Sequence, residues 1–124
     1  MYLKFALRTL VSAVLLIATG ICAAAQTRVA LVIGNSEYQA VSRLPNPVND
    51  ADAVSSVLTG LGFDVVKLVD LSKASFETAL ADFTDKAATS DIALVYYAGH
   101  GIEVNGQNYL IPVDARLDAD TRVR

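Results

Sequence analysis

The sequence predicts an α/β fold: a three-layer α/β/α sandwich with a mainly parallel sheet, incomplete at its C-terminus. Three observations lead there. Residues 28–35 and 92–98 are short runs that are apolar almost throughout rather than in alternation, which suits strands covered on both faces, and residues 63–69 read as a further strand. Between them lie two stretches whose apolar residues recur every three or four positions, the mark of helices with one buried stripe. The order strand, helix, strand, helix, strand implies right-handed crossovers and a parallel sheet flanked by helices. Three such strands are few for this architecture, so the domain is expected to be unfinished where the sequence stops.

The first 25 residues predict a signal peptide. Lys4 and Arg8 give a positive start, residues 10–21 are almost wholly apolar, and Ala23, Ala24 and Ala25 precede Gln26. A spanning helix wants about 20 apolar residues, and this stretch is shorter. Cleavage before Gln26 leaves residues 26–124 as one domain with no stable membrane anchor. The expected location is therefore exported, either periplasmic or secreted.

The chain of 124 residues carries 10 basic and 13 acidic side chains, a formal charge of −3. Loss of Lys4 and Arg8 with the signal brings the mature charge to −5, since no acidic residue goes with them. A mildly acidic chain without a basic run argues against nucleic acid as a partner. The one cysteine, Cys22, lies inside the signal, so the mature chain has no thiol, no disulfide and no cysteine metal ligand.

After the first strand, residues 35–44 are polar and mixed and read as a loop. Asn46-Pro47 then opens a helix, with Asn as cap and Pro at the first helical position. Ala51, Val54, Leu58 and Leu61 form its apolar stripe, and Gly60 and Gly62 close it. Ser72 caps a second helix whose inner face is Phe76, Leu80, Phe83 and Ala87. The third strand, residues 92–98, is apolar enough to predict a central place with a neighbour on each side. Asn105-Gly106 between two short strand-like runs predicts a hairpin. Residues 113–124 are polar with no clear period.

In open parallel sheets, sites gather beyond the carboxyl ends of the strands. Topology places Gly34-Asn35, residues 46–50 and Gly99-His100-Gly101 on that one rim. His100, the sole histidine, emerges there between two glycines, which let a backbone or substrate come close. A histidine near its unperturbed pKa can shuttle protons near neutral pH, and the Gly101 N–H could face a developing oxyanion, though Gly-His-Gly by itself is a weak signal. Asp50 and Asp52 also read as ordinary first-turn acids that favour a helix N-terminus. Tyr96 and Tyr97 read as core residues, and Tyr38 as a loop residue that is uninformative alone. Gly60-Leu61-Gly62 follows a helix, so it is no dinucleotide fingerprint. One histidine without cysteine makes no usual zinc site, and Ser36 lacks a nucleophile elbow.

Together these segments resemble caspase-like cysteine peptidases. Val29-Ala30-Leu31-Val32-Ile33-Gly34-Asn35 with Tyr38 resembles the family's first strand. Asn46-Pro47-Val48-Asn49-Asp50-Ala51 is similar to the helix start of bacterial members and metacaspases. Leu61-Gly62-Phe63 resembles the entry to the second strand, and Val95-Tyr96-Tyr97-Ala98-Gly99-His100-Gly101 the histidine motif. The resemblance spans roughly residues 28–114 and implies a sandwich of caspase-like type. It also implies a cysteine-type endopeptidase acting on peptide or protein substrates through a His–Cys dyad. His100 would assist proton transfer to the leaving amine, and Gly101 would supply an oxyanion-hole N–H. Asp50 would sit in the primary specificity pocket and favour cleavage after Arg or Lys, with Ala98 lining the same pocket. Neither a cofactor nor a metal is expected from the residues; calcium is a requirement of some metacaspases. In caspases the histidine precedes the cysteine by roughly 50 residues, whereas 24 residues follow His100 here. The expectation is a fragment of a longer peptidase, inactive by itself. Other readings are a non-catalytic caspase-like binding module, a gingipain- or legumain-like peptidase, and an unrelated flavodoxin-like binding domain.

Overall fold

The computed structural model describes residues 26–116. The expected signal peptide lies outside the described residues. A three-stranded parallel sheet forms the centre. Strand β1 (Arg28–Gly34) lies between β2 (Asp64–Val69) and β3 (Ile92–Ala98). Helix α1 (Pro47–Gly60) connects β1 to β2, and helix α2 (Lys73–Ala87) connects β2 to β3. The two crossovers run in opposite directions from the sheet's point of view. With both right-handed, they put the helices on opposite faces. A hairpin of β4 (Gly101–Val104) and β5 (Gln107–Leu110) follows. This is the α/β sandwich expected from the sequence.

The alternation of β1 divides the core. Ala30 and Val32 point to the α1 side and pack with Ala51 and Leu58. Val29, Leu31 and Ile33 point to the α2 side and pack with Leu71, Phe76, Ala79 and Phe83. Residues 30–33 are completely buried, which explains why β1 reads as a continuous apolar run. The third strand, expected to have a neighbour on each side, is an edge strand among the described residues. Among the described residues it pairs with β1 alone, and Ile92 and Val95 are 38% and 50% exposed. The central place goes to β1 because the crossovers deliver β2 and β3 to its two edges.

The helix boundaries follow their signals, with three corrections. Asn46 stands at the N-cap position of α1, but its side chain makes no capping bond. Its backbone is helical (φ −108°, ψ −20°) rather than extended, so the side chain is not aimed at the first-turn N–H groups. Leu61 is 57% exposed, because the chain turns out of the helix there. Gly62, at φ +81°, donates its N–H to Thr59 O, and Phe63 N–H reaches Leu58 O. These two bonds form a Schellman ending, and Phe63 joins the core in place of Leu61. On α2 the buried stripe runs through Phe76, Ala79 and Phe83, leaving Leu80 39% exposed on the flank. The Ala79 methyl takes the flank that lies against the sheet.

Ser72 caps α2 as its type predicts, its Oγ accepting from Ser75 N–H at 3.2 Å. A second anchor comes from far along the chain: Asp114 Oδ1 accepts from Lys73 N–H at 2.8 Å. The hairpin turn has both Asn105 (φ 54°) and Gly106 (φ 78°) in the left-handed region, the geometry of a type I′ turn. Val113 departs from the polar reading of its segment. It is 6% exposed and packs with Tyr38 and Ile111 in a small third core outside the sheet. No helix of the described residues is long and apolar enough to cross a membrane.

Gly62 and Gly60 both face open space, but only Gly62 has a positive φ. Gly62→Ala is expected to destabilise the protein by about 1 kcal/mol through left-handed strain. Gly60→Ala should be neutral or stabilise by up to about 1 kcal/mol. Urea unfolding of the two variants checks the contrast.

Candidate active site

The carboxyl end of the sheet is built around the end of β1. Gly34 pairs in register with Ala98 of β3. A Cβ on Gly34 would stand 2.6 Å from Pro47 O and 2.9 Å from the Ala51 methyl. Only a glycine therefore lets the first turn of α1 close onto the strand. Asp50 stands in that turn, exposed, with its N–H bonded to Asn46 O. Its carboxylate has no partner among the described residues, whereas the neighbouring Asp52 pairs with Lys67. The α1 start, Gly34 and Ala98 thus adjoin one another on the expected rim.

Asn35, the next residue, is fully buried and spends its polar groups inside the protein. Its N–H bonds to Ala98 O at 2.8 Å. Its side chain accepts from Leu71 N–H at 2.9 Å and donates to Ile111 O at 3.3 Å. One amide thereby ties β1, the β2–α2 connection and the end of the hairpin together. Asp70, at φ 53°, accepts from the N–H groups of Ser36 and Glu37 at 2.8 and 2.9 Å and holds the start of the loop. Ser36 itself is 6% exposed with an unpartnered hydroxyl, too enclosed to meet a substrate.

His100 is half-buried just beyond β3. Its N–H donates to Tyr38 Oη at 2.7 Å, and its carbonyl accepts from Tyr97 Oη at 2.8 Å and from Ile111 N–H at 3.0 Å. The Tyr38 and His100 rings lie 4.5 Å apart at 59°. Nε2 is 2.8 Å from Ser42 O. A carbonyl oxygen only accepts, so Nε2 carries a proton. Nδ1 has no partner among the described residues. Tyr38, uninformative alone in the sequence, is 3% exposed and bonded to the histidine backbone. Tyr97 does lie in the core, packed near Phe76, but its hydroxyl belongs to the site.

Gly99 and Gly101 serve different ends. A Cβ on Gly99 would lie 2.4 Å from Tyr97 Oη and 2.6 Å from Tyr38 Oη, so glycine makes room for both hydroxyls. Gly101 is exposed and faces Leu110 across the hairpin. The His100–Ile111 position is a bonded one, and bonded and non-bonded pairs alternate along an antiparallel ladder. Gly101 therefore falls at a non-bonded pair, and its N–H is turned away from β5.

Burial pushes the Tyr97 phenol well above the ordinary tyrosine range, reinforced by its neighbour Tyr38. Among the described residues no three histidine, aspartate or glutamate side chains gather where a metal ion would sit.

A parallel sheet between two helices, with a backbone-anchored histidine between glycines at the end of its third strand, is the frame of a caspase-type domain. Residues 27–122 match the profile of the caspase domain, and the chain belongs to that family. Human mucosa-associated lymphoid tissue lymphoma translocation protein 1 is 37% identical over 91 residues, covering 73% of this chain and 11% of that protein. A paracaspase of Dictyostelium discoideum is 32% identical over 95 residues, 72% of this chain and 23% of its own length. The chain thus spans between about a tenth and a quarter of these relatives. They lend no support to the narrower expectation of a bacterial metacaspase type.

Two outcomes follow from the site. A phenol kept neutral by the fold adds stability that is whole below the unfolded pKa of about 10 and is lost as pH rises above it. Denaturant unfolding across alkaline pH should show this loss in the wild type, and Tyr97→Phe should remove that component. Gly99→Ala should cost about 1–3 kcal/mol by forcing the two hydroxyls off the backbone, measured by the same unfolding assay.

Proposed function

We propose that this chain carries the histidine half of a caspase-type cysteine endopeptidase, and that the nucleophilic thiol is supplied by chain beyond residue 124. The observation that carries the reading is the state of His100. Its backbone is fixed on both sides, its Nε2–H is bonded to Ser42 O, and its Nδ1 is left without a partner. Such a group can take a proton from a thiol and give one to a leaving amine, which is the work a dyad requires. The Gly101 N–H, turned away from the hairpin, suits the developing oxyanion. The unpaired Asp50 carboxylate, in the α1 turn that packs on Gly34 opposite Ala98, suits a basic residue before the scissile bond. The substrate class is accordingly peptides and proteins cut after Arg or Lys.

A non-catalytic binding module is the second reading, and the absence of any cysteine other than Cys22 is the observation in its favour. The intact mass of the native product and its coding sequence past Arg124 separate the two. The peptidase reading expects an apolar strand followed by a cysteine some tens of residues on. A native product without that cysteine would leave only the binding module.

The chain of 124 residues alone is expected to release no product from Arg- or Lys-reporter peptides. In the cysteine-bearing protein, His100→Ala should lower kcat/KM by about 10²–10⁴-fold. Asp50→Asn should lower it by about 10- to 150-fold for Arg and Lys reporters, the loss of one charge-assisted contact. Steady-state kinetics with matched neutral reporters shows whether the second loss is specific to the basic residue.

A further inference from the structure

We infer that Tyr38 and Tyr97 are positioning residues for His100: their hydroxyls close a ring of hydrogen bonds on the histidine's own backbone, and this ring sets where the imidazole stands. The functional half of the inference rests on the proteolytic reading above; the geometric half does not.

The ring runs from His100 N–H to Tyr38 Oη (2.7 Å), from Tyr38 Oη to Tyr97 Oη (3.0 Å), and from Tyr97 Oη back to His100 O (2.8 Å). Its direction is fixed by chemistry. The amide can only donate and the carbonyl can only accept. Tyr97 has a single proton, and its other oxygen neighbour, Ile111 O at 3.0 Å, is also a pure acceptor. The Tyr97 proton therefore points to the carbonyls, and the Tyr38 proton points to Tyr97. The Tyr97 proton is shared between His100 O and Ile111 O, so the two hydroxyls hold the His100 backbone and the hairpin exit in one geometry.

Three further contacts carry that geometry to the imidazole. The Tyr38 ring lies 4.5 Å from the imidazole, so one side chain holds both the backbone and the ring of His100. Ser42 O holds Nε2. Gly99 leaves room for the two hydroxyls against the backbone, which a Cβ would fill. The two tyrosines come from different parts of the chain, the loop after β1 and the end of β3, so the histidine is set relative to the sheet and not merely to its own strand. Proton transfer requires placement within about 0.5 Å, and a misplacement of 1 Å costs on the order of 10²-fold in rate. Neither tyrosine need touch the substrate for its loss to be felt there.

Tyr38→Phe keeps the aromatic contact and deletes the hydroxyl, and Tyr97→Phe opens the ring at its other member. Hydrogen exchange and ring ¹⁵N spectra of the whole chain provide the first readout. Both variants should speed exchange of the His100 amide by about tenfold or more while the β1 amides keep their protection. The imidazole, now less fixed, should lose its uniform Nε2–H signature and populate both tautomers. In the cysteine-bearing protein each variant should lower kcat by about 10- to 100-fold with KM little changed. Unchanged His100 signals in both variants would overturn the inference. So would an equal loss of protection throughout the sheet, which marks a merely structural role. If the His100 signals move as expected but no protein with tyrosine at both positions cleaves peptides, the positioning stands and the proteolytic reading falls.

Discussion

Everything described here hangs on β1 being paired along both edges and covered on both faces. Residues 30–33 expose nothing to water. A strand so enclosed has to pair its N–H and C=O groups within the protein, because an unpaired buried amide costs about as much as a lost hydrogen bond. The parallel partners β2 and β3 meet that demand, and the helices that connect them are forced onto opposite faces. The strand's carboxyl end is then the one place where backbone from several elements converges.

Asn35 extends the same logic past the end of the sheet. Where the ladder stops, its buried amide stands in for a further residue of pairing, bonding the β2–α2 connection on one side and the hairpin's exit on the other. The small core of Tyr38, Ile111 and Val113 then seals the region from outside. The site is thus tied to two cores, Tyr97 packing against the main one and Tyr38 lying in the small one. This explains how a half-buried histidine sits on a rigid base although it follows a strand with one open edge.

The sheet, both helices and the hairpin were legible in the sequence because each carries a local signal: unbroken apolar runs, Ser72, Pro47, Gly62 and Asn105-Gly106. The rim was legible too, because strand order alone places His100, Gly34 and the start of α1 together. What was not legible depends on contacts between distant residues. Tyr38 and Tyr97 read as a loop residue and a core residue, since nothing near either one announces that their hydroxyls meet. Asn35 passed for a turn residue, and Val113 was masked by its polar neighbours. The third strand's apolar character suggested a neighbour on each side, whereas among the described residues one of its edges is unpaired. The open acceptance of Asn46 as a cap failed for a backbone reason that no residue type reveals.

The loop from Asn35 to Asn46 has one more property. It is folded on itself by Tyr38 N–H and Leu44 N–H, which both bond to Ser36 O, and it touches the imidazole through Ser42 O. That last contact is what makes the two ring nitrogens unequal. With the carbonyl in place, the neutral imidazole has one dominant form, with its lone pair on Nδ1. With the loop displaced, that preference is no longer enforced by the protein and both neutral forms are populated. The position of this loop therefore biases which imidazole nitrogen carries the proton, without any movement of the sheet.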